Sequence, residues 1–116
     1  MDIVAKQDFI RLVARENQGD SEGVRILWSR HAIAELVNEG WTRKAVEAGL
    51  ERAEIIEDYP ALHRPLPDCL VLGWLTENIP FHAVVAIDGV NARLFVVTVY
   101  EPGQEEWEND WRTRKR

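Results

Sequence analysis

The sequence predicts an α+β fold, a two-layer domain in which helices pack on a small, mostly antiparallel sheet. Three observations carry that reading. Residues 29–50 hold two consecutive segments with helical apolar spacing and end signals. After Asp58 the pattern changes to long apolar runs at 69–75, 81–87 and 92–100, with the composition of strands. Between the last two runs stands Asp88-Gly89, a strong hairpin signal.

Taken in order, residues 2–15 place Ile3, Phe9, Ile10, Leu12 and Val13 near helical spacing, and the polar, glycine-containing string 17–23 breaks it. Residues 24–28 are short and apolar enough for a strand. Ser29 sits where a helix N-cap belongs, Ala32, Ile33, Leu36 and Val37 form one apolar face, and Gly40 suits the left-handed position that ends a helix. Thr42 can cap a second helix carried by Ala45, Val46 and Leu50. Residues 53–58 read as a strand, and Pro60, Pro65 and Pro67 make the next stretch an extended loop. Residues 104–116 read as a short terminal helix with Trp107 and Trp111 on one face. The expected division is an N-terminal helix and loop at 1–23, a core domain at 24–102, and a C-terminal helix with a basic tail at 103–116. Leu36, Val46, Leu50, Leu72, Val85 and Val96 are expected in the main core.

A chain of 116 residues with 46% hydrophobic content can bury one core without metals or disulfides. Its single cysteine, Cys69, excludes an internal disulfide framework and reads as a buried small residue rather than a nucleophile. No apolar run approaches the roughly 20 residues of a membrane span, and the N-terminus lacks a secretion-signal layout, so a cytoplasmic protein without membrane association is expected. The net charge of −6 argues against a broadly basic nucleic-acid binder. Arg112, Arg114, Lys115 and Arg116 nevertheless gather positive charge at the end, as a solvated, frayed terminus would or as a tail suited to touching RNA.

Candidate chemistry rests on few residues. His31 lies in the first turn after Ser29, where the helix dipole favours a neutral imidazole able to act as a base or simply to pack. His82 sits inside an apolar strand and needs a partner if buried. Glu57 and Asp58 close a strand, where one carboxylate is placed to orient an imidazole and the other to be solvated at a turn. Tyr100 ends the last apolar run. Strand parity decides whether His82 and Tyr100 share a face: an even loop between their strands separates them, whereas an odd loop or a bulge unites them. His31, His63 and His82 show no close ligand spacing, and no metal or other cofactor is expected. Trp107 and Trp111 could form an exposed anchor for a partner.

Several short strings extend the reading: Ser29-Arg30-His31-Ala32, Ile55-Ile56-Glu57-Asp58-Tyr59-Pro60, Cys69-Leu70-Val71-Leu72-Gly73, His82 in its β-like run, and Thr98-Val99-Tyr100-Glu101-Pro102 followed by Trp107. In order and spacing they resemble the bacterial domain-of-unknown-function family 4258 (DUF4258), from about Val24 to Trp107. The element order is similar to that of RelE-like and BrnT-like toxins. That resemblance implies a toxin-like protein of a bacterial toxin–antitoxin pair, with a small zinc-finger antitoxin as partner and RNA as substrate of a metal-independent endoribonuclease. It implies His31 or His82 as base, Tyr100 as acid or phosphate contact and Glu57 as orienter, with Arg30, Arg64 and Arg93 meeting phosphate. The alternative is a non-catalytic protein-binding module of the same fold. The oligomeric state stays open, a homo-oligomer included.

Overall fold

The structure is a computed structural model that describes residues 1–19, 24–59 and 65–116. Helix α1 (Ile3–Gly19) begins where the Asp2 carboxylate accepts from the Ala5 amide at 2.8 Å, and it turns Ile10, Val13 and Ala14 inward at helical spacing. Strand β1 (Ile26–Trp28) leads into α2 (Arg30–Glu39). Ser29 caps α2, accepting from the Ala32 amide at 3.0 Å while its hydroxyl donates to the Val97 carbonyl at 2.8 Å, so one side chain starts the helix and docks it on the sheet. Gly40, at φ 74°, ends α2 in the left-handed conformation that its missing Cβ permits. Thr42 then caps α3 (Arg43–Gly49), which runs into a 3₁₀ turn at Leu50–Arg52.

Four strands follow: β2 (Glu54–Tyr59), β3 (Asp68–Thr76), β4 (Ile79–Asp88) and β5 (Arg93–Tyr100). They pair as an antiparallel meander, and β1 adds to β5 in parallel, giving the order β1-β5-β4-β3-β2. The α+β expectation holds, with all three helices contributing to a single apolar cluster on one sheet face. Phe81, Ala83, Val85 and Ile87 of β4 form the middle of that cluster, against Leu36, Val46 and Leu50 from the helical side. A Cβ on Gly73 would stand 2.3 Å from the Phe81 ring, and one on Gly49 would stand 2.6 Å from it, so two glycines make room for this ring. Lys6, buried on α1, places its ammonium 2.5 Å from Asp58 at the end of β2.

Two expectations need correction. Leu72 is buried, but it pairs with His82 on the sheet face away from the helices, outside the main cluster. Residues 104–116 form no helix. They make a series of turns closed by a bridge between Trp107 and Arg114, with the Glu108 amide bonded to the Thr113 carbonyl and the Lys115 amide to the Glu106 carbonyl. The cause is local competition for the backbone: Asp110 accepts from the amides of Arg112 and Thr113, each at 3.0 Å, and Trp111 takes φ 62°. This segment crosses the helix-free face of the sheet as a strap.

Candidate functional site

Two bulges assemble the site. Glu54 and Glu57 lie three residues apart and would point to opposite faces of a regular strand. A register shift between Ile55 and Glu57 instead pairs them with Leu72 and Leu70, on one face. In β5 the register shifts where Val84 pairs with Thr98 but Val85 pairs with Val96, which leaves Val97 over. His82 then pairs directly with Tyr100, and both project away from the helices. This is the bulged case that the parity argument required for a shared site.

His82 is 0% exposed. Its Nε2 lies 2.7 Å from the Trp111 carbonyl, which can only accept, so the proton of the neutral ring sits on Nε2. Nδ1 is left as an acceptor facing the Tyr100 hydroxyl at 3.3 Å, a long bond for an O–H donor. Burial lowers the pKa of His82 from its ordinary value, outweighing the opposing pull of the Trp111 carbonyl and of Glu57. Burial likewise raises that of Tyr100. Both members of the pair are therefore neutral at neutral pH. Trp107 stands edge-on against the imidazole, centroids 4.4 Å apart, and is itself 1% exposed.

Glu57 lies beside this pair without bonding it. Its carboxylate accepts from Arg114 Nε at 2.5 Å and Nη2 at 3.1 Å, and from the Tyr59 hydroxyl at 2.6 Å. The Arg114 bond and the Tyr59 bond hold the Glu57 carboxyl below its usual range against the opposing effect of burial. Burial, with that same carboxylate, pushes the Tyr59 hydroxyl well up. The orienter of His82 is thus the Trp111 main chain, rather than the expected Glu57. Arg114 also stacks over Trp107, 4.7 Å from its ring centroid, and Arg112 grips Glu54 through Nε at 2.8 Å and Nη2 at 3.0 Å.

The remaining expected residues lie elsewhere. His31, 70% exposed at its side chain, sits 3.2 Å from Glu35, whose Oε1 also accepts a short bond from the Thr98 hydroxyl and one from the Val99 amide at 3.0 Å. Glu35 thereby covers the edge of β5 that extends past β1. Burial, then Glu101 and Glu35, raises the Glu39 carboxyl at the end of the same helix. Arg30 is exposed at the start of α2. Arg93 begins β5, seven residues from Tyr100, or roughly 20 Å at the usual rise per strand residue. There it pairs with Asp88 at 3.3 Å and lies over Phe95. Arg64 and His63 fall outside the described residues. Trp107 is buried and Trp111 half-buried, so Trp107 is no exposed anchor. Among the described residues no three His, Cys, Asp or Glu side chains gather as a metal-binding cluster.

Sequence reasoning noticed Arg112 and Arg114 only as terminal positive charge, without their pairing to this face, and it missed Glu54 and Tyr59 as members of the site. A signal existed. Cations at 112 and 114 are spaced to share one side of an extended segment, whereas on a helix they would diverge.

Residues 28–101 match the model of the domain of unknown function DUF4258, and the chain belongs to that family. Neither a curated protein nor a solved structure gives a match. No helix among the described residues is long and apolar enough to cross a membrane.

Proposed function

We propose that this protein is the toxin-like member of a bacterial toxin–antitoxin pair, acting in the cytoplasm, and that the strap-covered face of its sheet cleaves RNA without a metal. The observation that carries the reading is the direct pairing of His82 and Tyr100 across β4 and β5, with an unprotonated Nδ1 facing a neutral hydroxyl. In the proposed reaction a ribose 2′-oxygen attacks the adjacent phosphorus and gives its proton to His82 Nδ1. The bond from phosphorus to the 5′-oxygen breaks as that oxygen takes the Tyr100 proton, leaving a 2′,3′-cyclic phosphate and a 5′-hydroxyl. The imidazolium then returns a proton to Tyr100 along their shared hydrogen bond. Burial supports both roles, since it keeps His82 unprotonated and Tyr100 protonated before reaction. A small zinc-finger antitoxin as partner rests on the family resemblance.

A second reading, a non-catalytic protein-binding module, is favoured by one observation: His82 has no exposed surface and both its ring nitrogens are occupied. Expression of the chain without a partner, with mapping of cellular RNA ends, separates the two. Cleavage predicts defined ends that Tyr100→Phe reduces by about 10²–10⁴ in rate, the usual contribution of an acid or base. Tyr100→Phe keeps the ring and forfeits one long hydrogen bond, so its fold should persist. Unchanged ends in that variant, or none in the parent, reject the cleavage reading.

A further inference from the structure

The strap raises a specific problem for an RNA-directed site, because it lies on the very residues that would meet the substrate. Its attachment is of two kinds. Trp107 fills the space over His82, yet among the described residues its indole N–H meets no acceptor. The unsatisfied buried donor offsets part of what burying the ring contributes to the closed position. The other attachments are ion pairs at the rim, Arg112 with Glu54 and Arg114 with Glu57. The arginine side chains are 43% and 55% exposed, so water and salt reach both pairs. Both are also bidentate, the geometry with which a guanidinium binds carboxylate or phosphate alike.

We infer that Arg112 and Arg114 are the phosphate-binding residues of this site, and that single-stranded RNA opens it by exchanging its phosphates for Glu54 and Glu57. The inference rests on the RNA reading above. It removes a difficulty in that reading, since Arg30 and Arg93 do not converge on His82, whereas Arg114 lies over the ring that packs against it. Lys115 and Arg116 continue the same basic segment. The acidic body then has a function: Glu54 and Glu57 hold the arginines in place and deter weakly competing anions. As the strap lifts, Trp107 leaves the imidazole and the Trp111 carbonyl leaves Nε2, uncovering the paired His82 and Tyr100.

The test is binding by the full chain of a 2′-O-methylated single-stranded oligoribonucleotide, which has no free 2′-hydroxyl to attack, over a range of salt. Arg112→Gln/Arg114→Gln should weaken binding and reduce the slope of log affinity against log salt by about 1.4, the value for two phosphates on a single strand. Glu54→Gln, which keeps the size of a half-buried side chain, should tighten binding about two- to fivefold, the worth of one partly exposed ion pair. The Trp107 indole proton, followed by nitrogen-edited NMR, should exchange with solvent faster when the oligonucleotide is bound. An unchanged salt slope in the double arginine variant, no tightening in Glu54→Gln, or slower indole exchange on binding would each overturn the inference. Binding with all three expected responses, but no cleavage of ordinary RNA by the parent, would uphold it and reject the catalytic step alone.

Discussion

Trp107 meets His82 edge-on at 4.4 Å, with their planes at 88°, across a boundary between irregular chain and β-sheet. The contact makes the strap part of the fold's interior, although residues 104–116 hold no helix or strand. Trp107→Ala should therefore cost about 3–5 kcal/mol, the range for a buried tryptophan. Val90→Ala, at a position 95% exposed, should stay within about 0.5 kcal/mol. Denaturant unfolding of both variants checks this; a Trp107→Ala loss as small as that of Val90→Ala would mean that the strap does not hold in solution.

Gly73 faces the Phe81 ring across β3 and β4, and its hypothetical Cβ meets three ring atoms at 2.3, 2.6 and 2.9 Å. Phe81 is fully buried, so its ring has nowhere to retreat. Gly73→Ala should destabilise by about 1–3 kcal/mol through overpacking. In Phe81→Leu the same change should cost less, because the ring edge is gone. A double-mutant cycle measures the coupling, and strict additivity would refute the steric account.

What was legible in the sequence follows from how local each determinant is. Ser29 and Thr42 accept from amides three residues on, and the Gly40 amide donates to carbonyls three and four residues back, so the helix limits could be read from the chain alone. The apolar runs at 81–87 and 92–100 and the Asp88-Gly89 turn likewise placed β4 and β5. The bulge at Val97 was not legible, because it depends on pairing between two strands, and the sequence left open whether His82 and Tyr100 meet. The strap was misread for a related reason. Trp107 and Trp111 do have helical spacing, but Asp110 captures the neighbouring amides, and long-range pairs with Glu54 and Glu57 fix the segment in another form. Leu72 was correctly expected to be buried. Its face was not, since the strap that covers the far side of the sheet was itself misread.

Cys69, fully buried on β3, has its thiol pushed up to about 12 by burial, an effect only partly offset by Lys6. The thiolate is the reactive species, so the native protein should be inert to a thiol-directed reagent at neutral pH. Labelling should begin only where denaturant unfolds the chain, with a midpoint equal to that seen by tryptophan fluorescence. Rapid labelling of the native state would contradict the packing of β3 against the helices.

Acid should loosen the strap in two separate steps. The folded-state pKa of His82 lies below its ordinary 6.5, chiefly because burial disfavours the imidazolium. Below about pH 6.5 the unfolded chain therefore binds a proton that the folded chain refuses, and stability falls as pH drops towards the folded value. The slope cannot exceed about 1.4 kcal/mol per pH unit for one proton. Glu57 has a folded pKa below its ordinary 4.5, first because Arg114 bonds the carboxylate, so its contribution is full above that pH and is lost only as pH falls through the lower folded value. His82→Gln keeps a donor for the Trp111 carbonyl but has no titrating group. Relative to the parent it should flatten the decline in melting temperature between about pH 7 and pH 5 while leaving the later Glu57 step in place. Parallel curves for parent and variant across that interval would show that the imidazole titrates in the folded protein as it does in the unfolded chain, and would remove His82 from beneath the strap.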